Sequence, residues 1–139
     1  MKRPIKIAIA DDHAGFKQGI ETVLNFSPDM KLIVKADHGA DLLRLIKGNM
    51  PDVVLLDLQM PVLDGFATLP QIKNLYPGIK VIILTLNAEA SEVANAFHLG
   101  ADAYLLKTSD PEMITKTIRQ CFENDPFVAR NANPNMIVY

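Results

Sequence analysis

The chain has one cysteine, no tryptophan and no long apolar run. With Cys121 alone among its 139 residues, no disulfide can form within the chain. No apolar stretch approaches the ~20 residues of a membrane-spanning helix. The net charge of −2 gives no electrostatic sign of nucleic-acid binding. The balance of 49% hydrophobic and 22% charged residues is that of a globular domain, so we expect one cytoplasmic domain that contacts neither membrane nor nucleic acid.

Five short segments rich in valine, isoleucine or leucine recur along the chain. Segments of about five such residues are typical of strands that are covered on both faces. Each is followed by apolar residues at helical intervals of three and four. The predicted strands are residues 5–10, 31–36, 52–56, 80–84 and 102–106.

The alternation of five strands with five helices predicts the architecture. Strand–helix repeats with short loops favour an α/β domain with a parallel sheet, helices on both faces and right-handed crossovers. We expect this domain over residues 1–124 and a linker or C-terminal tail over 125–139, because the pattern ends there. Predicted helix-start residues are Asp64, Glu89 or Ser91, and Asp110 before Pro111.

Reactive or charged side chains follow four of the five predicted strands. The carboxyl ends of parallel strands lie at one edge of the sheet, where open α/β sheets bind their ligands, so we expect these side chains to meet. The exception is the second strand, which ends in Ala36-Asp37. The four sets are Asp11 and Asp12 after the first strand, Asp57 after the third, Thr85 after the fourth and Lys107 after the fifth.

This set of residues suits phosphoryl transfer. Three carboxylates at one edge repel one another unless a cation intervenes. A hard divalent ion fits them: Mg²⁺, with Mn²⁺ as an alternative, takes carboxylate and phosphate oxygens. Together with Lys107, such an ion cancels the three negative charges. Asp57 at the central strand is then placed as a carboxylate nucleophile towards phosphorus, with Thr85 and Lys107 for the phosphoryl oxygens.

Longer motifs carry a resemblance to one family. The chain resembles the receiver domain of two-component response regulators over about residues 5–123. Within that family it is closest to the subfamily with a C-terminal helix-turn-helix output domain, on the segments ADDH, LTLNAE and LLK without a following proline. The motifs of the wider family are Asp11-Asp12, DLQMPVLDG over 57–65, Leu84-Thr85 and GADAYLLK over 100–107.

The resemblance implies a fold and a function. The fold is a flavodoxin-like (βα)5 sandwich whose parallel five-stranded sheet has the order 2-1-3-4-5. The function is phosphorelay signal transduction, in which a sensor histidine kinase or a histidine phosphotransfer protein phosphorylates Asp57. Such a domain is not a classical enzyme, although it catalyses its own phosphorylation and slow dephosphorylation. The expected output is transcription, through a DNA-binding domain outside these residues.

The family also implies roles at the metal site. Asp12, Asp57 and the backbone carbonyl of Gln59 would hold Mg²⁺ directly, and Asp11 would hold it mainly through water. Asp57 would be both a metal ligand and the phosphoacceptor. Lys107 would pair with a phosphoryl oxygen.

A second group of implied roles concerns switching. Thr85 would move towards the phosphoryl group, and Tyr104 would turn inward into the space that is vacated. Gln59 and Asn87 would tune the phosphoryl lifetime. Homodimerisation on phosphorylation, through the fourth helix and fifth strand or through the first and fifth helices, stays open.

Two positions depart from the common receiver pattern. Leu86 is bulky where most receivers have a small residue after the switch threonine. Thr108 follows Lys107 where many receivers have proline and a cis bond. The access to the pocket and the geometry of the Lys107 loop are therefore questions for the structure.

The remaining polar candidates have simpler interpretations. His13 fits a helix-start residue better than a phosphate relay. His38 and His98 have no acidic or cysteine partners at metal-ligand spacing. Cys121 lies on an apolar helix face and is expected in the core.

Two other functions compete with the receiver. An aspartyl-phosphate hydrolase also uses a strand-end aspartate and Mg²⁺, but it needs a second acid two residues after the nucleophile, where this chain has Gln59. A stand-alone single-domain regulator, acting by protein–protein contact, would need no output domain. The complete set of reactive residues disfavours a degenerate receiver that only binds other proteins.

Overall fold

The computed structural model describes residues 3–87 and 89–123, which form one α/β unit. Strands and helices alternate strictly along these residues. The predicted tail over 125–139 lies outside the described residues. The elements are β1 (Ile5–Ala10), α1 (Ala14–Asn25), β2 (Met30–Ala36), α2 (Gly39–Ile46), β3 (Val53–Asp57), α3 (Gly65–Leu75), β4 (Lys80–Thr85), α4 (Ala90–His98), β5 (Ala103–Leu106) and α5 (Pro111–Phe122).

The five strands form one parallel sheet in the order β2-β1-β3-β4-β5. The predicted fold class and strand order are therefore confirmed. Strand β3 is central, and all five of its residues are buried. A register shift between Ile7 and Ala8 interrupts the pairing of β1 with β2. The carboxyl ends of β1 and β3 are adjacent, because Ala10 pairs with Leu56.

Two apolar cores lie on opposite faces of the sheet, because alternate strand residues point to opposite sides. One core packs α1 and α5 against the sheet and includes Ile20, Leu24 and Ile118. The other core packs α2, α3 and α4 against the sheet and includes Leu42, Leu69 and Val93. Helices on both faces explain why the strands are nearly continuous apolar runs.

The cysteine lies where its spacing predicts. Cys121 is buried in the α1 and α5 core, and this burial raises the pKa of its thiol to about 12. The thiol is thus protonated at neutral pH and behaves as an apolar side chain.

Helix starts agree with the sequence signals. The Asp64 carboxylate accepts a hydrogen bond from the Ala67 amide, as an N-cap does. Asp110 is the N-cap of α5 with Pro111 in its first turn, and Glu89 rather than Ser91 is the N-cap of α4. His38 also caps its helix, because its ring accepts from the Asp41 amide.

Two residues of helix α3 depart from the usual helical pattern. Leu75 continues the three-and-four spacing of Leu69 and Ile72, which predicts a place on the apolar face, but it is 59% exposed because it is the last residue of the helix. Pro70 stands inside α3, where it can donate no backbone hydrogen bond. None of the described helices has both the length and the apolarity that crossing a membrane requires.

Candidate functional site

The residues predicted from the strand ends meet at the carboxyl edge of the sheet. Except for the fully buried Asp11, they line an open cleft of about 330 Å³. Asp57 ends the central strand and Thr85 ends the neighbouring one. The cleft is lined by Asp12, His13, Asp57, Gln59, Thr85, Leu86, Asn87, Glu89, Glu92 and Lys107.

A buried ammonium lies at the centre of the acidic residues. The Lys107 Nζ atom lies 2.7 Å from Asp11 Oδ2 and 3.2 Å from Asp57 Oδ2. The Lys107 side chain is 5% exposed, and those of Asp11 and Asp57 are 0% and 6% exposed. Its ammonium also faces the ring of Phe16, 5.0 Å from the ring centre, which is a cation–π contact. One cation is therefore shared by two buried carboxylates.

The two aspartates after β1 have different surroundings. Asp11 is fully buried, and its Oδ1 accepts from the His13 amide at 2.8 Å. Asp12 has a side chain that is 42% exposed and faces the cleft. This arrangement leaves Asp12 free to reach an incoming cation, while Asp11 is held beneath by Lys107 and the backbone.

The surroundings of the Asp57 carboxyl disfavour its ionised form. Burial, and then the neighbouring charge of Asp11, raise the pKa of the Asp57 carboxyl above its usual value. Lys107 and a hydrogen bond from the Gln59 amide, at 3.2 Å to Asp57 Oδ1, oppose this shift only in part. Ionised Asp57 thus lacks full compensation, and a further cation in the cleft would supply it.

Four acceptor-bearing side chains are close enough to share one metal ion. Asp11, Asp12, His13 and Asp57 each offer a donor atom, and these atoms all lie within 4.8 Å of one another. Carboxylate oxygens in such a cluster are ligands that suit a hard divalent cation. The acidic cluster predicted from the sequence is therefore present, and its chemistry fits a divalent metal.

The predicted switch residues lie on the same face of β4 and β5, because Tyr104 pairs with Ile83, two residues before Thr85. Thr85 is 7% exposed, and its hydroxyl donates to the Asn87 carbonyl at 3.3 Å. Tyr104 is fully buried in the core on the α4 face. Burial raises the pKa of Tyr104, the Thr85 hydroxyl opposes the shift, and the charges of Glu92 and Glu89 add to it. Tyr104 already has the inward position that the family pattern associates with switching.

The two departures from the receiver pattern leave the cleft open. Leu86 is 59% exposed and lines the edge of the cleft without closing it. The described residues contain no cis peptide bond, so Thr108 follows Lys107 through a trans bond. The backbone amide of Lys107 donates a hydrogen bond to the Thr85 carbonyl at 2.7 Å. This bond holds the Lys107 loop against the end of β4.

Three cleft residues were not selected from the sequence. Glu89 and Glu92 lie at the start of α4 and therefore near the carboxyl edge, but helix spacing alone does not show that they face the same cleft as Asp57. His13 was expected only as a helix start, and it is the N-cap of α1. Its position directly after Asp12 was the available signal that its ring would also reach the cluster.

Comparison with protein families agrees with this geometry. A family model described as the response regulator receiver domain matches residues 7–119. The chain belongs to the response regulator receiver domain family.

Individual relatives of this receiver domain are named as response regulators or transcriptional regulatory proteins. The chain is 34% identical to response regulator protein VraR of Staphylococcus saprophyticus over 122 residues, covering 88% of this chain and 58% of VraR. It is 27% identical to transcriptional regulatory protein DegU of Brevibacillus brevis over 133 residues, covering 96% of this chain and 56% of DegU. The chain thus spans about half the length of these relatives.

Solved structures show the same fold. The signal receiver domain of the response regulator NarL from Mycobacterium tuberculosis superimposes with a TM-score of 0.84 at 31% identity. The match covers 88% of this chain and 98% of that domain.

Proposed function

We propose that this receiver domain takes a phosphoryl group on Asp57 in a phosphorelay. The observation that supports this most directly is the shared cation, since Lys107 bridges buried Asp11 and Asp57 at the end of the central strand. The carboxylate lines an open cleft, so a donor can reach it. The donor is a phosphohistidine of a sensor histidine kinase or of a histidine phosphotransfer protein.

The transfer exchanges one bond to phosphorus for another. An Asp57 carboxylate oxygen forms the new O–P bond as the N–P bond of the donor phosphohistidine breaks, and the released imidazole takes up a proton. Lys107 and the Thr85 hydroxyl neutralise and orient the phosphoryl oxygens. Catalysis is by positioning and charge neutralisation rather than by acid–base chemistry. Water hydrolyses the acyl phosphate slowly, which returns Asp57 to its unphosphorylated form.

The donor set fits Mg²⁺, or Mn²⁺ in its place. Asp12, Asp57 and the carbonyl of Gln59 would hold the ion directly, and Asp11 would hold it mainly through water. When bound, the ion supplies positive charge to the carboxylates and to the phosphoryl oxygens. The partly uncompensated charge of Asp57 is what favours its entry.

Phosphorylation changes the charge at Asp57 from −1 to about −2. The Thr85 hydroxyl and the Lys107 loop respond to this charge, which biases the surface of α4 and β5 beside Tyr104. A nearly full switch requires the two conformations to differ by about 5.5 kcal/mol in their stabilisation of the phosphoryl group. Gln59 and Asn87 at the cleft edge tune how long the acyl phosphate survives.

The names and lengths of the relatives support a proposal for the output of the complete protein. Their names describe transcriptional regulation, and this chain spans about half of their length. We therefore propose that the complete protein controls transcription in the cytoplasm through a further domain. Dimerisation of the phosphorylated receiver is part of that proposal.

A small-molecule phosphodonor tests the assignment of Asp57. Incubation of the purified domain with acetyl phosphate and Mg²⁺ is expected to add one phosphoryl group, read by intact mass spectrometry. Asp57→Asn is expected to add none. Asp37→Asn is the matched control, because Asp37 also follows a strand at this edge but pairs with Lys17. Unchanged labelling of Asp57→Asn would show that the acceptor is another residue.

A further inference from the structure

His13 is not needed by the helix that it precedes. It is the N-cap of α1, but its side chain makes no capping hydrogen bond. Its backbone amide instead donates to Asp11 Oδ1. The imidazole is 65% exposed, so packing does not hold it either. Its position over the acidic cluster therefore requires another explanation.

The ring nitrogen faces the metal-binding carboxylates. His13 Nδ1 lies 3.4 Å from Asp11 Oδ1 and 3.7 Å from Asp12 Oδ1. A six-coordinate ion with bonds of about 2.1 Å places neighbouring ligand atoms about 3.0 Å apart and opposite ones about 4.2 Å apart. The separation from Asp12 Oδ1, the direct ligand, exceeds that of neighbouring positions by about 0.7 Å, which rotation of the exposed imidazole would close.

A positive charge already lies among the same atoms. The Lys107 ammonium contacts Asp11 and Asp57, and it lies 3.5 Å from His13 Nδ1. His13 Nδ1 is thus one of three donor-bearing groups arranged around a cation. Phosphoryl transfer as proposed above uses the carboxylates and Lys107 but leaves the imidazole without a role.

We propose that His13 is a nitrogen ligand of the metal site and makes this receiver prefer divalent transition metals such as Co²⁺ and Ni²⁺. Imidazole binds these ions far better than it binds Mg²⁺, which prefers oxygen ligands. The carboxylates serve every ion, whereas His13 adds affinity only for the softer ones. The inference rests on the proposed function only in placing the cation at the same carboxylates.

Replacement of the imidazole separates the two classes of metal. His13→Ser keeps a good N-cap residue and removes the nitrogen. Dissociation constants for Mg²⁺ and Co²⁺ are measured by calorimetry for the wild type and the variant. Co²⁺ affinity is expected to fall at least about tenfold, whereas Mg²⁺ affinity changes less than about twofold. His38→Asn is the matched control, because it removes another N-cap histidine away from the cleft.

A spectroscopic signal identifies the ligand directly. In the Co²⁺-loaded wild type, proton NMR is expected to show one strongly shifted, exchangeable imidazole resonance, which His38→Asn retains and His13→Ser loses. Equal losses for Mg²⁺ and Co²⁺, or no loss for Co²⁺, would overturn the role of His13. A wild type that binds Co²⁺ through His13 but neither binds Mg²⁺ nor accepts a phosphoryl group would instead contradict the proposed function alone.

Discussion

The two ends of the sheet use the same residue type in opposite ways. At the amino end, aspartates precede three strands, and each has its own cation: Asp29 with Arg119, Asp52 with Arg3, and Asp102 with Lys73. At the carboxyl end, Asp11 and Asp57 share Lys107, and Asp12 faces the cleft.

The pKa directions follow this difference. The hydrogen bond from Arg119 lowers the pKa of Asp29, and that from Arg3 lowers the pKa of Asp52. Burial and Asp11 raise the pKa of Asp57. Paired acids stabilise a fold, whereas a surplus of buried negative charge costs stability and marks a site for a cation. The surplus, rather than the acids themselves, distinguishes the functional end.

Removal of the shared cation is expected to have the largest effect. Lys107→Met keeps the side-chain contact with Phe16 but leaves Asp11 and Asp57 without their counterion. The free energy of unfolding of the metal-free protein should fall by about 3–5 kcal/mol, as measured by urea unfolding at pH 7. Saturating Mg²⁺ should restore part of this loss, because it supplies charge to the same carboxylates.

Lys73→Met is the amino-end control for this experiment. Lys73 donates to the Ile79 carbonyl and to Asp102, but Asp102 keeps a hydrogen bond from the Val81 amide at 2.8 Å. The pair is partly exposed, so a loss of about 1 kcal/mol is expected, with no response to Mg²⁺. Equal losses in both variants, both insensitive to Mg²⁺, would contradict a special role for the carboxyl end.

Asparagine substitutions should have opposite signs at the two ends. Asp57→Asn removes an ionised carboxyl whose pKa is raised, while Lys107 keeps Asp11 as its partner. The metal-free variant should therefore be about 1 kcal/mol more stable at pH 7. Asp52→Asn should instead lower stability by about 0.5–1 kcal/mol, because it weakens the bond from the Lys6 amide at 2.9 Å.

The stability contributions of Asp57 and Asp52 depend on pH in opposite directions. The stability that Asp57 contributes is present below the ordinary aspartate pKa and is lost as the pH rises through its raised, folded-state value. The stability that Asp52 contributes is present above the ordinary value and is lost as the pH falls through its lowered one. In urea titrations, Asp57→Asn should therefore approach the wild type as the pH falls from 7 to about 4, whereas Asp52→Asn should approach it only below about pH 4. If Asp57→Asn were less stable than the wild type at pH 7, this result would contradict a surplus of buried negative charge at the carboxyl end.

The sequence predicted the strand ends well because apolar runs and the polar residues after them record burial directly. Asp57, Thr85 and Lys107 were found in this way, and strand bounds differ by at most one residue from those predicted. The strand order came from family resemblance, since alternation of strands and helices allows more than one order. Spacing also failed to show that Leu75 would be exposed at the end of α3.

The approach of side chains across the cleft was not predictable from the sequence. Glu92 in α4 and His13 before α1 reach the site through the packing of these segments at the sheet edge, which one-dimensional spacing does not contain. The burial of Tyr104 in the core on the α4 face is likewise a feature of tertiary packing. Residue type and strand end identify Asp57 as the candidate carboxylate, whereas its neighbours require the three-dimensional structure.

Backbone conformation extends the contrast between the two ends. Gly100 at the amino end has a φ of 110°, whereas Val62 in the loop after Asp57 has a φ of 66° and is the one non-glycine with positive φ among the described residues. Such a conformation strains a β-branched residue by about 1–3 kcal/mol. The loop that carries Gln59 is therefore held in a costly shape.

Val62→Gly should relieve this strain without loss of packing, since the Val62 side chain is 80% exposed. Glycine makes the unfolded chain more flexible, which costs about 0.5–1 kcal/mol of stability. The free energy of unfolding, measured with urea, should therefore rise by a net amount of about 1 kcal/mol. Gly100→Ala should lose stability, because alanine at this position would have a positive φ and its Cβ would lie 3.0 Å from Lys73 Cγ. If Val62→Gly were neutral or less stable, the loop would owe its shape to its own contacts, and backbone strain would not separate the functional end from the structural one.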